Sequence, residues 1–242
     1  MCSGPVAPLV TVAIPLFRSR RFLDVISDNI RNLDYPNLEI LVGDRHVADD
    51  AVEQLRARFP GDQRLRYLTA RDELSWVEHY NALLAAASGQ YFLWMPHDDS
   101  YPPGYVGALV ARLESAPHSL FAFGHCDSEN FDGERTASLA SPPLLPDEAW
   151  SARSALRLLL GWDLGVAMRG LFRRSAVTDA GLWIRETRGN AYADTCWLFG
   201  MALLGRFEFV AEARCLKRFY PTSTHARWRP LPPAELARVQ TQ

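Results

Sequence analysis

The feature that most constrains this chain is the stretch from Gly89 to Pro103, where an unbroken apolar run, Tyr91 to Met95, stops at two adjacent carboxylates, Asp98 and Asp99. Such a run reads as a strand covered on both faces, and Pro96, Pro102 and Pro103 force the chain out of it. Two acidic groups at the C-terminal mouth of a strand repel each other unless a cation lies beside them. Oxygen ligands of this kind suit Mg²⁺ or Mn²⁺, which use one or two protein carboxylates and complete their shell with water and phosphate. The same residues also suit an acidic turn capping a helix that begins near Pro103. The pair alone does not choose between the two.

A doubly covered strand needs neighbours and two layers of helices, and the rest of the front half supplies them. Leu9 to Phe17 reads as a first strand; Phe22, Val25, Ile26, Ile30 and Leu33 recur at helical spacing, closed by Tyr35 and Pro36. Leu38 to Val42 is a second strand, Val52, Leu55 and Phe59 mark a short helix, Leu65 to Leu68 is a third strand, and Trp76 to Ala87 is a helix leading into Tyr91 to Met95. This alternation predicts an α/β domain with a mostly parallel sheet and helices on both faces. Further on, Leu120 to His125 reads as a strand and residues 126–150 as a turn and long loop. Ala152 to Leu160 is helical, Val166 to Phe172 strand-like and Tyr192 to Leu204 helical. Phe207 to Val210 and Ala213 to Phe219 read as a terminal hairpin or paired strands. The Pro-rich tail, 221–242, is expected to be extended.

Composition narrows the functional classes. With 242 residues, 48% of them hydrophobic, the chain can bury a substantial core, and a net charge of −2 argues against nucleic-acid binding. Lys217 is the sole lysine among 26 basic residues. The four cysteines, Cys2, Cys126, Cys196 and Cys215, show no zinc-ligand spacing and fit reduced thiols. Val6 to Phe17 lacks the basic start of a signal peptide, and no stretch approaches the roughly 20 apolar residues of a membrane span. The expectation is a cytoplasmic protein, with room for peripheral membrane contact.

In open α/β sheets ligands bind beyond the carboxyl ends of the strands. Asp44, after the second strand, should therefore share a rim with Asp98 and Asp99. No Gly-x-Gly-x-x-Gly follows the first strand, which disfavours a dinucleotide dehydrogenase. Here the chain resembles the family-2 glycosyltransferases of the glycosyltransferase-A fold. The resemblance is carried by Val10 to Phe17 with its Ile14-Pro15 signature, Glu39 to Asp49, Asn81, the segment from Gly89 to Asp99, Gly170 to Ser175, and Ala193 to Gly205. It departs from the family where Arg45, His46 and Val47 replace the usual Asp-Gly-Ser remainder, and where Ala193 replaces the Glu of a Glu-Asp pair.

The resemblance implies one glycosyltransferase domain over 1–220, with a nucleotide-sugar-binding half (9–116) and an acceptor-binding half (117–220). It implies that Asp44 accepts a hydrogen bond from a base, most often uracil, and that Pro15, Phe17 and Asp98 belong to the donor site. Asp99 would ligate Mg²⁺ or Mn²⁺, and Asp194 would be the general base. Arg71 and Arg18, after strands three and one, are candidates for phosphate contact or plain surface residues. Asp44 and Asp194 each have a helix-capping alternative. His97 stands where many relatives have a small residue, and either touches the metal or diphosphate or faces outward. The implied reaction is inverting transfer from a UDP-sugar to a saccharide, lipid-linked or other hydroxyl acceptor. The rivals are a non-catalytic nucleotide-binding scaffold and, less favoured, a nucleotidyltransferase, whose Gly-rich, Lys-containing loop is missing.

Overall fold

All seven residues of Val10–Leu16 (β1) and all four of Tyr91–Trp94 (β4) are buried, as strands with a helical layer on each side must be. The structure, a computed structural model, describes residues 6–45, 49–70, 74–130, 132–138, 150–161 and 164–220. The other strands are Leu38–Asp44 (β2), Leu65–Thr69 (β3), Ser119–Glu129 (β5), Arg135–Thr136 (β6), Leu171–Arg173 (β7) and Arg206–Arg218 (β8). They form one sheet in the order β3-β2-β1-β4-β7-β5-β6, with β8 on β5. The β1–β2, β2–β3, β1–β4 and β5–β8 pairs are parallel, while β7 runs antiparallel between β4 and β5.

Side-chain alternation sorts the core. Val10, Val12 and Ile14 of β1, with Tyr91 and Leu93 of β4, pack against Ile26 and Ile30 of Leu23–Asn32 (α1), Leu55 of Ala51–Arg58 (α2) and Leu109 of Tyr105–Ser115 (α4). Ala13, Phe92 and Trp94 face the other way, towards Leu83 of Trp76–Ala86 (α3), Leu158 of Ala152–Gly161 (α5), Val177 of Arg174–Asp179 (α6) and Trp197 of Ala193–Leu204 (α7). A full capping box starts α3: Glu78 N donates to Ser75 Oγ, and Ser75 N donates to Glu78 Oε2.

Three expectations need correction. Val166 to Phe172 is not a continuous strand: Leu164–Arg169 is a 3-10 turn, and only Leu171–Arg173 pairs in the sheet. Gly170 sets the boundary, because a Cβ there would lie 2.3 Å from the Phe121 ring and 2.6 Å from the Ala122 carbonyl. Nor do Phe207–Val210 and Ala213–Phe219 form a hairpin. They are one strand, β8, interrupted by a bulge in which residues 211–213 lack partners between Val210, opposite Gly124, and Arg214, opposite His125. Within 126–150, expected to be a turn and loop, β5 runs on to Glu129 because Cys126 to Glu129 pair with Cys215 to Arg218, and β6 follows. The tail, 221–242, lies outside the described residues.

The bulge depends on Gly124, where an added Cβ would sit 1.8 Å from the Ala213 carbonyl oxygen. Gly124→Ala is expected to destabilise the fold by about 3 kcal/mol or more, at or beyond the top of the usual overpacking range. A urea titration followed by far-UV circular dichroism reads this loss, and an unchanged midpoint would show that the bulge simply relaxes.

Candidate active site

A cleft of about 450 Å³ opens where β1, β2 and β4 end. Its wall is built by local hydrogen bonding after β1. Ser19 N donates to Asp49 Oδ2 at 2.6 Å and Ser19 Oγ accepts from Phe17 N at 2.8 Å, which leaves Arg18 between them in the left-handed region at φ 51°. Phe17 and Arg18 both line the cleft as a result. Arg45 reaches in from the end of β2, donating from Nε to the Leu74 carbonyl at 2.7 Å with its guanidinium 4.2 Å from the Phe17 ring centroid. Arg21 lies against Phe22 and Tyr220, at 4.6 and 4.4 Å from their ring centroids. Three guanidinium groups thus face one cleft-lining carboxylate, Asp98. That balance attracts a polyanion such as a diphosphate.

Asp98 and Asp99 are adjacent in sequence and occupy different environments. Asp98 lines the cleft and is hydrogen-bonded to the Tyr220 hydroxyl, whose pKa is raised first by burial and then by the Asp98 charge. Asp99 points inward and is 1% exposed. Its Oδ2 accepts from Arg169 Nε and Nη2, each at 2.6 Å, and its Oδ1 accepts from Arg218 N at 3.3 Å. Burial pushes the Asp99 carboxyl up to about 6 against the pull of Arg169. Burial opposes the charge on Arg169 as well, but the combined pull of Asp99, Cys126, Tyr101 and Cys215, Asp99 the strongest among them, holds that guanidinium well above its ordinary value. Asn29 of α1 clamps the same loop, donating to Asp99 O at 2.8 Å and accepting from Tyr101 N at 3.0 Å.

Asp194 lies in the first turn of α7, where its Oδ1 accepts from Thr195 N at 2.8 Å. Burial raises its pKa, and the nearby charges of Lys217 and Arg169 pull against that. Tyr80 of α3 also lines the cleft. Its phenol is raised by burial, then by the charge of Asp98, and also by Asp99 and Asp194. His79 next to it is neutral: burial and then the Arg45 charge push it down to about 3, and its Nε2 is buried without a partner.

Of the sequence-derived site residues, Pro15, Phe17, Arg18 and Asp98 line the cleft. Asp44 ends β2 next to Arg45, opposite Leu16 and Thr69. Asp99 is buried and Asp194 starts α7, neither of them among the residues that line the cleft, while Arg71 falls outside the described residues. Sequence reasoning missed Arg21, Tyr80, Tyr220 and Arg169. For Arg169 a signal existed, since a charge inside the apolar run Val166 to Phe172 needs a buried partner. Among the described residues no cluster of three or more His, Cys, Asp or Glu side chains is arranged to hold a metal.

This arrangement is the glycosyltransferase-A fold. Residues 11–177 match the sequence profile described as Glycosyl transferase family 2, and the chain belongs to that family. It is 29% identical over 111 residues to an uncharacterized glycosyltransferase of Haemophilus influenzae, a match covering 46% of this chain and 34% of that protein. It is 26% identical over 121 residues to the GalNAc(5)-diNAcBac-PP-undecaprenol beta-1,3-glucosyltransferase of Campylobacter jejuni, covering 49% of this chain and 38% of the relative. The chain therefore corresponds to well under two thirds of the length of these relatives. Among solved structures, S. aureus TarS 1-349 in complex with UDP-GlcNAc superposes with a TM-score of 0.71 at 15% identity, over 95% of this chain and 64% of that one. The mannosyltransferase PcManGT from Pyrobaculum calidifontis, in complex with GDP-Man and Mn²⁺, gives 0.63 at 17% identity, over 92% and 60%. At these identities the superpositions establish the fold alone.

Arg169→Met leaves Asp99 buried without its partner and is expected to cost about 3–5 kcal/mol, whereas the double variant Asp99→Leu/Arg169→Met recovers most of that. Urea denaturation of the three proteins checks this. Equal losses in the single and double variants would show that the pair contributes through packing instead of charge.

Proposed function

We propose that the protein is an inverting glycosyltransferase that moves a sugar from a UDP-sugar to an acceptor hydroxyl with the help of Mg²⁺ or Mn²⁺. The observation that carries this reading is the cleft itself: three arginines and one carboxylate at the strand ends of a family-2 fold. A second carboxylate, Asp194, stands in the first turn of α7, and its charge reaches the cleft-lining Tyr80. Arg18, Arg21 and Arg45 would bind the diphosphate, with Pro15 and Phe17 forming the adjoining wall. Asp44, at the rim, would take the base. UDP is favoured by the family resemblance and by the UDP-GlcNAc complex of TarS, whereas the GDP-Man complex of PcManGT makes guanine the alternative to test.

The donor set of the cleft fits a hard divalent cation that takes most of its ligands from phosphate and water. In this reading the metal passes from Asp99, whose oxygens face Arg169 and the Arg218 amide, to Asp98, which faces the cleft. A bound Mg²⁺ or Mn²⁺ supplies Lewis-acid stabilisation of the departing diphosphate. The arginines share that work and hold the donor's orientation. Asp194 receives the proton of the attacking hydroxyl. Its raised pKa brings it nearer to operating pH and makes it a stronger base than an ordinary Asp. A single displacement from the face opposite the leaving group inverts the anomeric centre.

The name of the Campylobacter relative includes a polyprenyl-diphosphate-linked acceptor, which makes a lipid-linked acceptor and peripheral membrane contact part of the same proposal. Among the described residues no helix is long and apolar enough to cross a membrane. A thermal-shift panel of UDP-, GDP- and ADP-sugars with and without Mn²⁺ tests the donor. A donor at 100 times its dissociation constant stabilises the fold by about 2.7 kcal/mol. Stabilisation by UDP-sugars is expected, and a response to no nucleotide sugar would overturn the reading.

Asp194→Asn is expected to bind donor normally and to transfer sugar at least about a hundredfold more slowly at saturation. The wild-type rate should also fall as pH drops through the Asp194 pKa, because only the ionised carboxylate accepts a proton. Burial places that acid limb above the usual Asp value of 3.8. Wild-type turnover in Asp194→Asn would leave Asp194 as a helix-start residue only.

A further inference from the structure

His97 has a restrained ring and one nitrogen with no hydrogen-bond partner among the described residues. Its Nδ1 lies 3.0 Å from the Pro15 carbonyl and 3.1 Å from Ser19 Oγ. A carbonyl only accepts, so Nδ1 carries the hydrogen and, in the neutral ring, Nε2 carries the lone pair. The ring is stacked on Phe22, with centroids 4.9 Å apart and planes at 23°. A backbone carbonyl that fixes the tautomer from behind is the outer support typical of a metal-bound imidazole. No described residue hydrogen-bonds to Nε2, nor is Nε2 among the buried atoms left without a partner. His97 and Asp98 are consecutive, and both line the cleft.

We propose that His97 Nε2 is a second protein ligand, beside Asp98, for the divalent cation of the donor site, and that it tilts the site towards Mn²⁺ over Mg²⁺. The inference rests on the reading of Asp98 as the metal carboxylate. Mg²⁺ takes oxygen ligands and parts reluctantly with water, while imidazole nitrogen binds the later divalent ions more readily, and Mn²⁺ accepts it better than Mg²⁺. A cleft with one carboxylate and one imidazole therefore discriminates between ions that a site of carboxylates alone would treat more evenly. The bland account is that His97 only ties the end of β1 to the loop after β4. Such a clamp predicts no effect on metal preference.

The test uses the whole chain with UDP and Mn²⁺. In the wild type, pulsed electron paramagnetic resonance is expected to show ¹⁴N coupling from a directly bound imidazole. His97→Asn keeps an N–H able to donate to Pro15 O and removes Nε2. It should abolish that coupling and weaken Mn²⁺ binding at least about tenfold, with Mg²⁺ binding, measured by competition, changing much less. Absence of ¹⁴N coupling in the wild type, or an unaltered Mn²⁺-to-Mg²⁺ preference in His97→Asn, overturns the inference. Asp98→Asn separates it from the reading beneath it. If that variant binds Mn²⁺ as tightly as the wild type, the metal assignment to Asp98 fails as well; if it loses Mn²⁺ while His97→Asn does not, only the role of His97 is lost.

Discussion

The buried ion pair between Asp99 and Arg169 is the contact on which the site's layout turns. Asp99 follows β4 in the front half of the chain, and Arg169 ends the 3-10 turn before β7 in the back half. Their bond fastens the loop that carries Asp98 to the segment that completes the sheet. Taking two charges out of water is expensive, and the return comes only through close geometry, here with two N–H donors at 2.6 Å from one carboxylate oxygen. The Tyr105 hydroxyl holds the Arg169 carbonyl at 3.0 Å, and Asn29 holds the Asp99 carbonyl. Because Asp99 is committed inward, the next residue back, Asp98, is the one left on the cleft.

Charge is mixed within the site. Arg18, Arg21 and Arg45 line the same cleft as Asp98, and Tyr220 joins the two kinds, since Arg21 lies against its ring and its hydroxyl is hydrogen-bonded to Asp98. The excess of positive charge favours a diphosphate there. The same desolvation that makes Asp194 a better base keeps the neighbouring phenol of Tyr80 protonated. Arg169 and Lys217 both temper the Asp194 carboxylate, so the buried ion pair also tunes the group assigned to proton transfer.

Particular elements show why some of the structure was legible in the sequence. β1 and β4 were plain because burial on both faces demands continuous apolar runs, and α1 because its apolar residues recur at helical spacing. The segment from Val166 to Phe172 misled because an apolar run cannot distinguish a strand from a buried turn, and Gly170 is needed there only to let the backbone meet Phe121. β8 read as two strands because the exposed pair Ala211 and Glu212 resembles a turn, whereas a bulge over Gly124 carries the strand through.

The sequence by itself determined the alternating α/β architecture and the family, since these follow from periodicity and from short motifs in order. Only the tertiary structure decided which of two adjacent carboxylates meets the cleft, that Arg21, Arg45 and Tyr220 converge there from separate stretches of the chain, and that His97 is held through Nδ1 at the Pro15 carbonyl. Periodicity records which face a residue buries. It carries no record of the partner waiting there, and for Asp99 that partner, Arg169, lies 70 residues away along the chain.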